Sequence, residues 1–184
     1  MTRRLSPQTS AVTLTALGAL ARLIPHPPNF APVGSVSLFA GARIAGWQAY
    51  LVPLVLMLAT NLVLGAMQGF APFSKATLVV CVSFLISVWI GRRLRGPLSA
   101  GRFTCAVLLS STQFFLVTNF GTWLLETMYP KTAAGLVACY LAAIPFFGRT
   151  VVSDFLYSGV LFGTYALIER LTNRETLETG CTTI

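Results

Sequence analysis

The sequence predicts an all-α fold: a polytopic transmembrane helical bundle of about six spanning helices, with one or two short re-entrant or interfacial helices, in a single domain over residues 1–184. Composition is the first reason. The chain is 55% hydrophobic and 10% charged, with a mean hydropathy of +0.74, whereas a soluble domain carries about 25% charged residues. The second is distribution, because charge-poor stretches recur along the whole length and leave too little polar surface to cover a water-soluble fold. The third is that positive residues cluster between apolar runs: Arg3 and Arg4; Arg92, Arg93, Arg95 and Arg102; Arg170 and Arg174. Such clusters are topology signals. The net charge of +8 forms no basic stripe interleaved with aromatics, which argues against nucleic acid as a partner.

The elements follow in order. Met1 to Ala21 imitates a signal peptide, with Ala19-Leu20-Ala21 at the formal cleavage position. The apolar run nevertheless continues past Arg22 through Leu23 and Ile24, so Ser10 to Ile24 is expected to be the first helix, with Ser10 as N-cap. Pro25, Pro27 and Pro28 make the next segment a non-helical connection. A short second helix is expected from Pro32 to Ala45. The third runs from Trp47 to Gly65, with Pro53 as a kink, and Met67 to Ser74 is a loop. The fourth spans Lys75 to Gly91, and the fifth begins near Gly101 and runs to Val117 or beyond. Phe120 to Met128 reads as a separate short helix. Thr132 to Ile144, bounded by Pro130 and Pro145, is shorter than the roughly 20 residues a span needs and reads as re-entrant or interfacial. Val151 to Ile168 is the last span.

With both termini on the cytoplasmic side of a bacterial inner membrane, most of the Lys and Arg residues face the cytoplasm, and only Arg22, Lys75, Lys131 and Arg149 lie outside. The opposite orientation inverts that ratio. The unusual polar residues then collect on the outer half: His26, Asn29, Gln68, Asn119, Arg149 and Asp154. Polar groups at membrane depth are costly and point to a site. Asp154 has two readings, as a carboxylate in the first turn of the last helix behind Thr150 as N-cap, neutralised by Arg149, or as a ligand contact. His26, fixed between two prolines beside Asn29 and Phe30, is either a loop hydrogen-bond partner or part of a preorganised binding loop. Cys81 is either a small apolar filler or, with His26, a soft ligand to a metal-centred vitamin such as a corrinoid.

Cys81, Cys105, Cys139 and Cys181 contain no CxxC pair, so neither a disulfide framework nor a zinc site is expected. No resident cofactor or metal is expected either. HExxH, GxSxG and a Gly-rich phosphate loop are all missing from the sequence, so no enzymatic activity is expected. Ala11, Thr15 and Ala19 form a small-residue row, which suits close helix approach to a partner or internal packing equally.

The string Arg22-Leu23-Ile24-Pro25-His26-Pro27-Pro28-Asn29-Phe30-Ala31-Pro32-Val33-Gly34 resembles a family of bacterial membrane proteins, as do Thr118-Asn119-Phe120-Gly121-Thr122-Trp123 and Ala143-Ile144-Pro145-Phe146-Phe147. Members of that family look like the substrate-binding S subunits of energy-coupling-factor (ECF) vitamin transporters. The resemblance implies six helices, an outer pocket capped by loops and a vitamin or similar micronutrient as ligand. It also implies a coupling membrane protein and ATPases as partners, docked through Ala11, Thr15 and Ala19. Asn61 stands where that family has an Asp, and Cys81 near a usual Tyr.

The expected function is therefore capture of a small solute from outside, with cobalamin the first ligand to test. The candidate binding residues are His26, Asn29, Phe30, Asn61, Gln68 and Cys81. Asn119, Trp123, Arg149, Asp154 and Tyr157 complete the set. The rival expectation is a non-catalytic membrane scaffold of an envelope or cell-shape complex.

Overall fold

The computed structural model describes residues 6–25, 30–69 and 71–180, with side chains to residue 174. The described residues are all helical apart from their connections: α1 (Pro7–Leu20) and a 3-10 turn (Ala21–Leu23), α2 (Val33–Arg43), α3 (Gln48–Gln68), α4 (Lys75–Arg92), α5 (Ala100–Leu125) and α6 (Ala133–Gly180). Four of these, α3 to α6, are long and apolar enough to cross a membrane. In their most apolar windows only 11–33% of residues are buried inside the protein. Leu51, Leu62, Leu78, Leu109, Leu116 and Leu156 are among the large apolar side chains left outside. Water would penalise that surface heavily, and a bilayer solvates it. The chain is a membrane protein.

The expected count of about six spanning helices is corrected by length. α1 has 14 residues and α2 has 11, both short of the roughly 20 that hydrocarbon requires. α2 instead forms the centre of the bundle, packing on α1, α3, α4, α5 and α6. Every residue from Ser35 to Ala42 is buried, a pattern without an amphipathic face because no side of this helix meets solvent or lipid. Two glycines make its crossing with α4 tight. A Cβ on Gly41 would run into the Val88 carbonyl oxygen, and one on Gly91 into that of Leu38, so the two backbones touch where only hydrogen can fit. On α2's other side Phe39 packs edge-on against Phe162 and Tyr165 of α6, with ring centroids 5.2 and 5.7 Å away.

Three boundaries differ from expectation. α1 starts earlier, with Ser6 rather than Ser10 as N-cap. The Ser6 hydroxyl accepts from the Thr9 amide, and Pro7 takes the first helical position, where a missing N–H costs nothing. The expected separate helix over Phe120 to Met128 is, as far as Leu125, the end of α5, which continues through Thr118 and Asn119. Their side chains donate back to the carbonyls of Phe114 and Phe115 at 2.7 and 2.8 Å, so these polar groups are satisfied without breaking the helix.

The expected re-entrant segment and the last span likewise form one helix, α6, with Pro145 inside it. Passing through the proline leaves about one carbonyl unpaired, whereas breaking the helix would expose several groups on each side of the break. In apolar surroundings the first is cheaper. At 48 residues, α6 is roughly 72 Å long, so it extends beyond the hydrocarbon. Its first turns pack back on α5, where Trp123 Nε1 donates to the Pro130 carbonyl at 2.9 Å and Tyr140 to that of Leu116 at 2.7 Å.

Candidate functional site

The first turn of α2 and the middle parts of α4, α5 and α6 enclose a cavity of ≈ 180 Å³, whose walls include Arg22, Gly34, Phe84, Phe114, Thr150 and Asp154. A second cavity of ≈ 270 Å³ shares Val80, Phe114 and Thr150 with it and adds Thr118, Asn119, Thr122, Phe146 and Phe147. A third, of ≈ 180 Å³, shares Asn119, Thr122 and Phe146 with the second and reaches Met128 and Tyr129 at the α5–α6 turn. The shared wall residues set the three in a row along a cleft between α5 and α6, from that turn to Asp154.

Asp154 is 4% exposed and lies well inside α6. The expectation that it opens a helix behind Thr150 is corrected, since the Thr150 hydroxyl donates to the Phe146 carbonyl within α6 at 3.2 Å. The carboxylate is nevertheless at a helix N-terminus, that of α2. The Ser35 hydroxyl lies 3.2 Å from Oδ1 and 3.0 Å from the Asp154 carbonyl oxygen, and Ser111 of α5 donates to Oδ2 at 2.7 Å. Pro32, the residue before α2, supplies no side-chain cap, so the carboxylate provides negative charge where the first amides of α2 are unpaired. A Cβ on Gly34 would stand 2.7 Å from Oδ1, and glycine there leaves the carboxylate its room. Ser153 adds a tie by donating to the Ala31 carbonyl at 3.3 Å.

Arg22 sits in the 3-10 turn after α1. Its Nη1 donates to the Met57 carbonyl and the Thr60 hydroxyl at 3.4 and 3.2 Å, and its Nη2 to Asn61 Oδ1 at 3.0 Å. Asn61 in turn donates to the Pro72 carbonyl at 2.6 Å, which ties Arg22 to the α3–α4 loop. All these partners are neutral, and a guanidinium carries more donors than they use. The cavity thus has a cation and a carboxylate in its walls, each with neutral partners, and aromatic rings between them. Such walls recognise polar groups on a small solute with an apolar body. Behind them, Gln113 Nε2 bridges the Ser83 carbonyl and the Ser87 hydroxyl at 3.0 and 2.8 Å, and Ser110 donates to Ser87 at 2.9 Å. This network joins α4 to α5.

Of the residues expected to bind solute, Asp154 and Asn119 line the cleft. Asn61 is buried and acts by holding Arg22. Phe30 and Tyr157 pack on each other, with centroids 6.0 Å apart, away from the lining. Trp123 is engaged with the α5–α6 turn, Cys81 is half-buried off the cavity wall, and Gln68 and Arg149 are exposed. The expected Arg149 to Asp154 neutralisation is replaced by the two serines. His26 and Asn29 lie outside the described residues. The row Ala11, Thr15 and Ala19 is buried against the chain's own helices, as its internal-packing alternative has it. Sequence reasoning missed Arg22, Gly34, Ser35 and Ser111. Arg22 did leave a signal, because it is a cation on the side where cations are scarce. Among the described residues no three His, Cys, Asp or Glu side chains converge as a metal site would need.

These features define a polytopic helical membrane protein with a cleft between α5 and α6 that ends at the buried Asp154 and the half-buried Arg22. The chain belongs to the family of unknown function DUF6580, whose profile matches residues 4–176. No curated protein and no solved structure matches it.

Proposed function

We propose that this chain is a membrane-embedded substrate-capture subunit for uptake of a small micronutrient, oriented in a bacterial cytoplasmic membrane with both termini inside. One observation carries the reading: the cleft between α5 and α6 ends on a cavity whose walls hold both Arg22 and the buried Asp154. Asp154 is buried and Arg22 half-buried, each with neutral partners, and desolvating such groups is costly for a merely structural protein. A solute that hydrogen-bonds to both recovers that cost.

Orientation rests on the clustering of Arg43, Arg92, Arg95 and Arg102 at the end of the bundle opposite Arg22, which the positive-inside rule assigns to the cytoplasm. The cleft mouth, at the α5–α6 turn, then opens outward. The resemblance to ECF S subunits supports an energising partner, which would have to dock elsewhere than on the buried small-residue row. The cavity bordered by Arg22 and Asp154 is ≈ 180 Å³ and its two neighbours are ≈ 270 and ≈ 180 Å³. Together they fall within the range of pockets for drug-sized ligands, roughly 300–1,000 Å³, and favour a solute smaller than a corrinoid.

The test is to purify the protein in mild detergent from cells grown in rich medium and identify released small molecules by mass spectrometry. A stoichiometric solute is expected, retained by the wild type and lost from Asp154→Asn and Arg22→Gln. An empty protein that brings down a stable membrane partner instead would move the assignment to a scaffold.

A further inference from the structure

At the opposite end of the bundle, α4 and α5 diverge around a groove of ≈ 350 Å³, the largest of the described cavities. Its walls are apolar (Leu94, Leu109 and the Cys105 side chain among them) and its rim carries Trp89, Arg93 and Arg102. Leu109 and Trp89 are more than half exposed, so the groove lies on the outer face of two membrane-spanning helices. None of its lining residues is acidic.

The two arginines are held differently. The Arg93 guanidinium stacks over the Trp89 ring, 4.7 Å from its centroid. Arg102 is fixed by donating to the Pro97 and Arg93 carbonyls, each at 2.6 Å. Arg102 also belongs to the first turn of α5, behind the Ser99 cap, where the helix dipole adds positive potential. Two cations, a helix N-terminus and an interfacial tryptophan therefore converge above an apolar trough at the end of two spanning helices.

We infer that this groove is a binding site for one anionic phospholipid. The phosphate would lie between Arg93 and Arg102, and an acyl chain would run along Leu94, Cys105 and Leu109. A soluble anion would use the arginines and leave the trough empty. A zwitterionic lipid would fill the trough but place its own cation against the rim. An anionic phospholipid alone satisfies both, and basic recesses between membrane helices recognise such headgroups. The inference is independent of what the cleft at the other end binds.

The experiment reconstitutes the full chain in vesicles of phosphatidylcholine and phosphatidylglycerol, extracts it in mild detergent and counts retained lipids by native mass spectrometry. One phosphatidylglycerol is expected per protein. Arg93→Gln should lower its retention about fivefold, and Cys105→Trp, which fills the trough, should abolish it. Arg93 is exposed and stacked on Trp89, so its replacement leaves the fold intact. Arg174→Gln, a cation beyond the groove, should leave retention unchanged. Equal retention of phosphatidylcholine would overturn the inference. So would an equal loss in Arg174→Gln, which would mean diffuse surface charge, or full displacement by inorganic phosphate, which would mean a headgroup site without an acyl trough.

Discussion

At one end of the bundle, arginines terminate helices. Arg95 donates to the Gly41 carbonyl at 3.2 Å and also to that of Ile44, and Arg92 reaches the Gly46 carbonyl at 3.0 Å. The Gly41 carbonyl is one left over where α2 ends and the other two belong to the connection just after it, and positive charge there complements the helix dipole. At the other end, Arg22 reaches into the side of α3 and borders a cavity, while a carboxylate from α6 supplies the cap that α2 lacks. The two ends of one short helix thus carry opposite arrangements. The C-terminal end is packed backbone to backbone and pinned by cations, whereas the N-terminal end is held open around charge. A helix buried on all sides can be rigid at one end and leave room for a ligand at the other, because its position is fixed where it crosses α4.

Two glycines of the α2 environment put that contrast to its strongest test. Gly91→Val at the closed end forces a branched side chain against the Leu38 carbonyl and the Ala42 amide. It should destabilise the protein by about 3 kcal/mol, read as a lowered unfolding midpoint in detergent. Gly34→Ala at the open end meets only the Asp154 carboxylate, which can turn away into the cavity. Solute retention should fall about tenfold, with stability reduced by less than about 1 kcal/mol. If Gly34→Ala unfolds the protein while Gly91→Val does not, the assignment of rigid and open ends is reversed.

Smaller effects sharpen the same comparison. Arg95→Ala uncaps the end of α2 and should cost about 1 kcal/mol without altering solute retention, as checked by parallel denaturation and mass spectrometry. Ser37→Ala sits between the two ends, where the Ser37 hydroxyl is buried without a hydrogen-bond partner. Removing it should leave stability unchanged or raise it by less than about 1 kcal/mol. A loss larger than that would reveal a bond from this hydroxyl that holds α2 in place.

Much of the frame was legible because it depends on local chemistry. The start of α4 is one example: Ser74 and Thr77 form a reciprocal capping pair at the boundary that the apolar pattern predicts. The breaks expected at Asn119 and Pro145 were misread for one reason. Turn-forming residues keep their meaning where water can take the freed backbone groups, but inside a bilayer-facing bundle the helix continues because no other partner exists. The site was half legible. Asp154 stood out as a carboxylate in an apolar run, but its partners Ser35 and Ser111 lie far away in sequence and look like ordinary small residues in apolar helices.

The sequence by itself determined that this chain lives in a membrane, that α3 and α4 run as they do and that apolar helix fills parts of α5 and α6, and that its arginines gather at one end. Each follows from composition or from periodicity over neighbouring residues. Only the tertiary structure decided that an 11-residue helix is the core, that the small-residue row of α1 packs inward, and that Arg22 and Asp154 share a cavity. Those outcomes depend on which faces meet across the bundle. Burial and electrostatic pairing between distant segments are properties of the packed whole that no local pattern encodes.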